Sequence, residues 1–214
     1  MAERLIKPVE SNADKRKTYT HELGQYRKAM ESDFYLEAMM IVYGYMEDRL
    51  RSFLYHCGAL AERKSTKVAV AKTRPDILQI VQHYKRDKEN DQLGISSITG
   101  KIKIVRCLLI WAGTTEGIPD NNKYLKTLKS QLEGTDIGGL LDTLEQIEAW
   151  CKYRNEAMHA LMNKDIKSLY SELQQRDADG MKLARFIDSQ IKPLRYGNRI
   201  RRAVNLPIEK QEQK

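Results

Sequence analysis

An arginine, an asparagine and a histidine lie close together late in the chain, at Arg154, Asn155 and His159. A histidine can take or give a proton near neutral pH, and an arginine can stabilise negative charge with paired N–H donors. Beside a basic surface, these groups suit cleavage of RNA without a metal, in which the 2′-hydroxyl attacks the adjacent phosphorus. The pattern predicts products with a 2′,3′-cyclic phosphate and a 5′-hydroxyl.

The helix predicted to carry these residues places Arg154 on an otherwise apolar face. Steps of three and four residues connect the members of this face: Leu140, Leu144, Ile147, Cys151, Arg154, Met158 and Leu161. His159 lies about 140° further round the helix, on a flank shared with Asn155, whose side chain can orient the imidazole. A two-fold copy of the same helix would bring two Arg154 and two His159 side chains to one groove.

The guanidinium of Arg154 needs an acceptor, because an unpaired charge in a core is very costly. An earlier helix has one acidic position, Glu47, on a face formed with Leu36, Met40, Tyr43, Leu50, Leu54 and Cys57. Two charges of opposite sign on core-facing stripes predict that Glu47 contacts Arg154, directly or through one water. The alternative is that the Glu47 side chain extends to an edge of the bundle.

The sequence predicts an all-α fold, a single helical bundle, because its apolar periodicity is helical nearly throughout. The chain has 214 residues, of which 41% are hydrophobic and 31% charged, which suits one well-filled core. We expect a flexible N-terminal arm over residues 1–17, a helical domain over 18–192 and a basic, polar C-terminal tail over 193–214.

Two interruptions are predicted within the helical domain. The amphipathic stretch over 18–62 is expected to break near Ser32 and Asp33, because an aspartate can cap a new helix. The last part of the domain is expected to form two helical pieces up to Gln190, and Pro193 is expected to end the second.

The net charge of +8 is concentrated late in the chain, where residues 151–202 carry twelve Lys or Arg and six Asp or Glu. Such clustering favours a polyanionic partner, RNA or DNA, over a basic face that is merely solvated. The candidate RNA-binding residues are Lys152, Arg195, Arg199, Arg201 and Arg202. With Tyr196, the last four could bind a phosphate backbone and stack a base, or belong to a disordered, solubilising tail.

Several other classes of site are not indicated by the sequence. It contains no glycine-rich phosphate-binding loop, no zinc or calcium spacing and no nucleophile elbow, so neither a cofactor nor a metal is expected. The three cysteines, Cys57, Cys107 and Cys151, are widely spaced and indicate reduced thiols in a cytoplasmic protein. No segment is apolar over the ~20 residues that a membrane span requires, and no secretory signal is visible.

The segment from Arg154 to His159, Arg-Asn-Glu-Ala-Met-His, resembles the R-x(4–6)-H signature of HEPN domains in its common R-N-x-x-x-H form. The helical setting, a long early helix and the late position of the motif are also similar to HEPN domains. The resemblance covers roughly residues 20–192. It implies a HEPN-like bundle that dimerises through the motif helix and forms a composite ribonuclease site.

The resemblance also implies roles for individual residues. Arg154 and His159 would be catalytic and Asn155 would be a polar supporting residue, while an acid on the early helix recurs in several of these families and fits Glu47. It implies a toxin–antitoxin or phage-defence role, with RNA as substrate and an antitoxin or defence component as a further partner. Many HEPN toxins have a tyrosine two residues after the histidine. Because Leu161 stands there, a nucleotidyltransferase partner is not expected.

Other arginine–histidine pairs have the same spacing, notably Arg51 with His56. The segment 154–159 is preferred because it alone has an asparagine after the arginine, lies on an apolar stripe and comes late in the chain. Two further functions remain open: a non-catalytic HEPN-like module that binds RNA or nucleotides, and an all-α scaffold with a chance motif.

Overall fold

The computed structural model describes residues 12–62, 74–85, 94–115, 117–160, 163 and 165–208. Within these ranges the chain is all-α and has no β-strand, which confirms the predicted fold class. A short 3₁₀ turn at Tyr196–Asn198 separates the last two helices. The α-helices are α1 (Asn12–Glu31), α2 (Tyr35–His56), α3 (Arg74–Tyr84), α4 (Ile98–Ala112), α5 (Lys123–Glu133), α6 (Ile137–Ala160), α7 (Ile166–Arg195) and α8 (Arg199–Ala203).

The break predicted near Ser32 is confirmed, because α1 ends at Glu31 and Asp33 adopts a left-handed backbone with φ of 59°. Aspartate tolerates this conformation better than most residues, which allows the chain to reverse into α2. Residues 12–17, expected to belong to the N-terminal arm, lie in α1. Residues 1–11 lie outside the described part of the chain.

Helix α7 corrects two expectations about the end of the domain. It is one helix of 30 residues rather than two pieces, and Pro193 lies within its last turn. A proline so close to a helix end removes a single backbone donor, so the helix continues to Arg195. The following residues fold back onto the bundle, since Ile200 and Leu206 are buried. The described part of the predicted tail is therefore folded.

Helix α2 lies at the centre of the bundle, with α1, α4 and α7 packed against it. Helices α2 and α7 are parallel: Tyr35 packs on Tyr170 near their N-terminal ends, and Arg49 bonds to Asp188 near their C-terminal ends. Helix α6 runs antiparallel to α7. A Cβ at Gly180 of α7 would lie 2.7 Å from both a Val42 methyl on α2 and the Trp150 indole nitrogen on α6, so only glycine allows this approach.

The apolar faces of α2, α4, α6 and α7 form one core, in which Trp111 and Trp150 are buried. Two ends of the bundle matter for function. The motif end comprises residues 32–40, the last turns of α6 and the first turns of α7. The C-terminal end comprises residues 55–62 and 193–208. No helix in the described ranges is long and apolar enough to span a membrane.

Candidate functional site

The apolar stripe of α6 leaves the core before it reaches the motif. Leu144 and Ile147 are completely buried, Cys151 and Arg154 are half-buried, and Met158 is 42% exposed. The stripe was predicted to face the core along its length, but its last turns lie at the rim of the bundle. Arg154 is therefore a rim residue rather than a core ion.

The Arg154 guanidinium is held mainly by an aromatic ring. Its central carbon lies 4.3 Å from the centre of the Tyr43 ring on α2, within the range of a cation–π contact. One terminal nitrogen donates to the Asn155 side-chain oxygen at 3.0 Å, and the other lies 3.8 Å from the Met40 sulfur. The Nε–H group has no hydrogen-bond partner, and no acid among the described residues forms an ion pair with Arg154. Five donors with one oxygen acceptor leave the guanidinium able to bind an anion.

The predicted direct contact between Glu47 and Arg154 is wrong, since neither an ion pair nor a hydrogen bond joins them in the described part of the chain. The Glu47 carboxylate accepts from the Lys101 ammonium at 2.8 Å and lies 3.7 Å from an Arg51 guanidinium nitrogen. Lys101 is completely buried on α4, where burial lowers the pKa of its ammonium and the nearby Glu47 raises it. An unpaired charge costs more free energy in the core than at the rim of the bundle. Glu47 therefore pairs with the buried Lys101 ammonium rather than with the Arg154 guanidinium.

Tyr43 is a site residue that sequence analysis missed. Burial, followed by the nearby Glu47 carboxylate, raises the pKa of its hydroxyl, so the phenol stays protonated at neutral pH. Its ring supports Arg154, and it lies one helical turn before Glu47. The signal was available, since Tyr43 belongs to the same stripe as Glu47. An aromatic residue on a core-facing stripe is ordinarily core, and this hid its contact with a cation.

His159 and Asn155 lie on the exposed flank of α6, as predicted. Asn155 bonds to Arg154, and no hydrogen bond joins it to His159 in the described part of the chain. The separation of five residues from Arg154 to His159 corresponds to a rise of about 7.5 Å and a turn of about 140°, so one copy of the helix does not place both groups on one face. Leu161 lies outside the described residues.

The competing pair, Arg51 and His56, lies in a different environment. His56 is buried at the end of α2 against the Tyr55 ring, and Arg51 lies near Glu47. The cysteines form no disulfide, and burial raises the pKa of the Cys151 thiol to about 11. Neither the buried histidine nor the protonated thiol is placed to act on a large substrate.

The predicted RNA-binding residues separate into two groups. Lys152, Arg195, Arg199 and Arg202 are exposed. Arg201 is completely buried, which corrects its assignment as a surface contact. Its guanidinium donates to four backbone oxygens, those of Tyr55 at 2.8 Å, Leu60 at 2.8 Å, Ala61 at 2.6 Å and Pro207 at 2.9 Å. Its neighbour on α8, Ile200, is completely buried as well.

Comparison with known proteins identifies no relative: no family model, curated protein or solved structure matches the chain. Within the described ranges, no group of three His, Cys, Asp or Glu side chains is placed to hold a metal ion. The chemistry of the site must therefore be argued from its own residues.

Proposed function

We propose that this chain is a metal-independent endoribonuclease of the HEPN type, active as a homodimer, in a toxin–antitoxin or phage-defence role. The observation that carries the proposal is the state of Arg154. It lies at the rim of the bundle, rests on the Tyr43 ring and has no acidic partner among the described residues, while Asn155 and His159 are exposed beside it. The structural arginines Arg49 and Arg106 each bond to a carboxylate, whereas Arg154 has none among the described residues and can donate to a phosphate.

The proposed reaction uses one His159 from each subunit. One imidazole removes the 2′-hydroxyl proton of RNA, and the oxygen forms a bond to the adjacent phosphorus as the bond from phosphorus to the 5′-oxygen breaks. The second imidazole protonates the departing 5′-oxygen. Arg154 stabilises the negative charge on the non-bridging oxygens, and Asn155 and Tyr43 hold its guanidinium in place.

A composite site accounts for two features of the motif end. The first is the angle between Arg154 and His159, which a second copy of α6 can complement. The second is the apolar surface around Arg154, where Met40 is 48% exposed and Met158 is 42% exposed. Exposed methionines beside a functional residue are typical of a surface that a partner covers.

Cleavage of RNA in the presence of EDTA tests the proposal. We expect the parent protein to give 2′,3′-cyclic phosphate ends, and a substrate with 2′-deoxyribose at the cut position to resist cleavage. The variants His159→Ala and Arg154→Ala should each lose about 10²–10⁴-fold in rate while keeping their helical content. Arg16 and His21 are matched controls, because they are exposed on α1 with the same five-residue separation. Their alanine variants should cut normally.

Normal cleavage by Arg154→Ala or His159→Ala would overturn the proposal, as would a parent protein that is monomeric yet fully active at micromolar concentration. A parent that binds RNA with steep salt dependence but never cuts it would support the non-catalytic alternative instead. Growth arrest on expression, relieved by the same two variants and not by the controls, would support the toxin role.

A further inference from the structure

The C-terminal end carries positive charge without compensating acids. From Ser189 to Ile208 the chain has no Asp or Glu, and it presents Lys192, Arg195, Arg199 and Arg202 to solvent. None of these four forms an ion pair with a described residue, in contrast to Arg49 and Arg106, which bond to carboxylates. Unpaired surface cations concentrated on one segment favour binding of a polyanion.

An exposed aromatic ring lies within this charge. Tyr196 is 70% exposed, and the Arg199 guanidinium carbon lies 5.3 Å from the centre of its ring. An exposed tyrosine ring keeps its apolar faces in contact with water, and a nucleobase that stacks on the ring buries one of these faces. A ring bordered by arginines is the arrangement that single-stranded nucleic acids recognise, because every base has a face to stack and every nucleotide a phosphate to neutralise.

The backbone that presents these residues is fixed rather than a loose tail. Gly197 and Asn198 are successive left-handed residues, with φ of 61° and 48°, and the conformation at Asn198 is costly for a residue other than glycine. The buried Arg201, bonded to backbone oxygens on two separate segments, holds the turn in place. A preformed surface loses less entropy on binding than a mobile tail does.

We propose that Tyr196, Arg195, Arg199 and Arg202 form a binding surface for single-stranded RNA, here termed the platform. It lies toward the other end of α7 from the motif: Arg176 of α7 lies beside Tyr153 of α6, and the roughly 20 residues from Arg176 to Tyr196 correspond to a rise of about 30 Å. The choice of RNA as the ligand rests on the proposed function. The role of the platform is to hold the RNA substrate at a distance from the site of cleavage. Short oligonucleotides bound there cannot reach Arg154 of the same subunit.

Binding of a fluorescein-labelled 2′-O-methyl oligonucleotide, which cannot be cleaved, tests the platform by fluorescence anisotropy. Loss of one stacked base in Tyr196→Ala should weaken binding about 5- to 100-fold, and Tyr196→Phe should retain parental affinity. The triple variant Arg195→Ala, Arg199→Ala and Arg202→Ala should reduce the slope of log affinity against log salt by about 2, from roughly 0.7 per phosphate contact. A matched duplex should be insensitive to Tyr196→Ala.

A second triple variant, Arg16→Ala, Arg27→Ala and Lys28→Ala, removes the same charge from exposed positions on α1 and should bind nearly as the parent does. Parental affinity and salt slope in both platform variants would overturn the inference, as would equal losses in the two triple variants or a parent that binds no oligonucleotide. The proposed function fails separately: a parent that binds through Tyr196 but never cuts RNA would leave the platform intact and remove the ribonuclease.

Discussion

Two arginines stack on two tyrosines of α2, one at each end of the bundle. Arg201 lies 3.7 Å from the centre of the Tyr55 ring, and Arg154 lies 4.3 Å from that of Tyr43. Arg201 is completely buried and donates to four backbone oxygens. Arg154 is half-buried, and the Asn155 side chain supplies its one oxygen acceptor.

The difference separates an arginine that builds the fold from one that the fold supports. The donors of Arg201 are used to join the segment after α2 to the C-terminal segment, so little capacity remains for a ligand. The Arg154 side chain has its position fixed by a ring and an amide but keeps donors unused. A side chain that is held in place but keeps hydrogen-bond donors without acceptors is typical of a residue that binds a substrate.

The largest expected effect follows from removing the buried arginine. Arg201→Ala leaves four backbone oxygens without their donor, of which the two at Tyr55 and Leu60 belong to buried bonds, and opens a cavity under α8. We expect a loss of about 3–5 kcal/mol in the free energy of unfolding, measured by urea denaturation. The neighbouring Arg202 is exposed, and Arg202→Ala should change the free energy of unfolding by less than about 0.5 kcal/mol. Equal effects of the two substitutions would show that Arg201 stabilises the fold no more than an exposed arginine does.

The difference between these arginines also shows what sequence could and could not predict. The apolar stripe of α6 and the break near Ser32 and Asp33 were predictable from the local sequence. The rim position of Arg154 was not, because it depends on where the core ends, and Asp33 does not cap α2, whose N-cap is Phe34 without a side-chain bond. Arg201 and Arg202 are adjacent in a five-residue helix, which is too short for a period to tell the buried side from the exposed one. The partner of Glu47 depended on where α4 places Lys101, which no pattern within a single helix contains.

Asp177 differs from Arg201 in a second way. It is also a buried ionisable side chain, but it lacks the hydrogen-bond partners that Arg201 has among the described residues. It is completely buried on α7, and neither carboxyl oxygen has a hydrogen-bond partner among the residues that the structure describes. Burial raises the pKa of Asp177 from 3.8 to about 8. Between these values the unfolded chain is ionised while the folded chain keeps its proton, so the folded state loses stability as pH rises from about 4 to about 8. Below this window both states are protonated, and above it the loss is complete.

The variant Asp177→Asn removes this titration and should flatten that part of the stability curve. The free energy of unfolding of the variant, relative to the parent, should increase by about a few kcal/mol between pH 5 and pH 8, as measured by urea denaturation at each pH. The facing tyrosine, Tyr26, has a pKa raised mainly by burial and stays protonated over this range. Parallel curves for parent and variant would show that Asp177 is ionised in the folded protein.

Of the three sites Arg201, Asp177 and Arg154, the last is expected to have the smallest effect on stability. Arg154→Ala removes one cation–π contact and one bond to a neighbouring exposed amide, so it should change the free energy of unfolding by less than about 1 kcal/mol. The same variant is expected to lose about 10²–10⁴-fold in the rate of cleavage. A large loss of rate with a small loss of stability is the opposite of what Arg201→Ala should show. Tyr43→Leu, which keeps an apolar side chain beneath the guanidinium, serves as the matched test of the ring. If Arg154→Ala lost as much stability as Arg201→Ala, Arg154 would be a residue that holds the bundle together. Its loss of activity would then follow from unfolding and would not support a catalytic role.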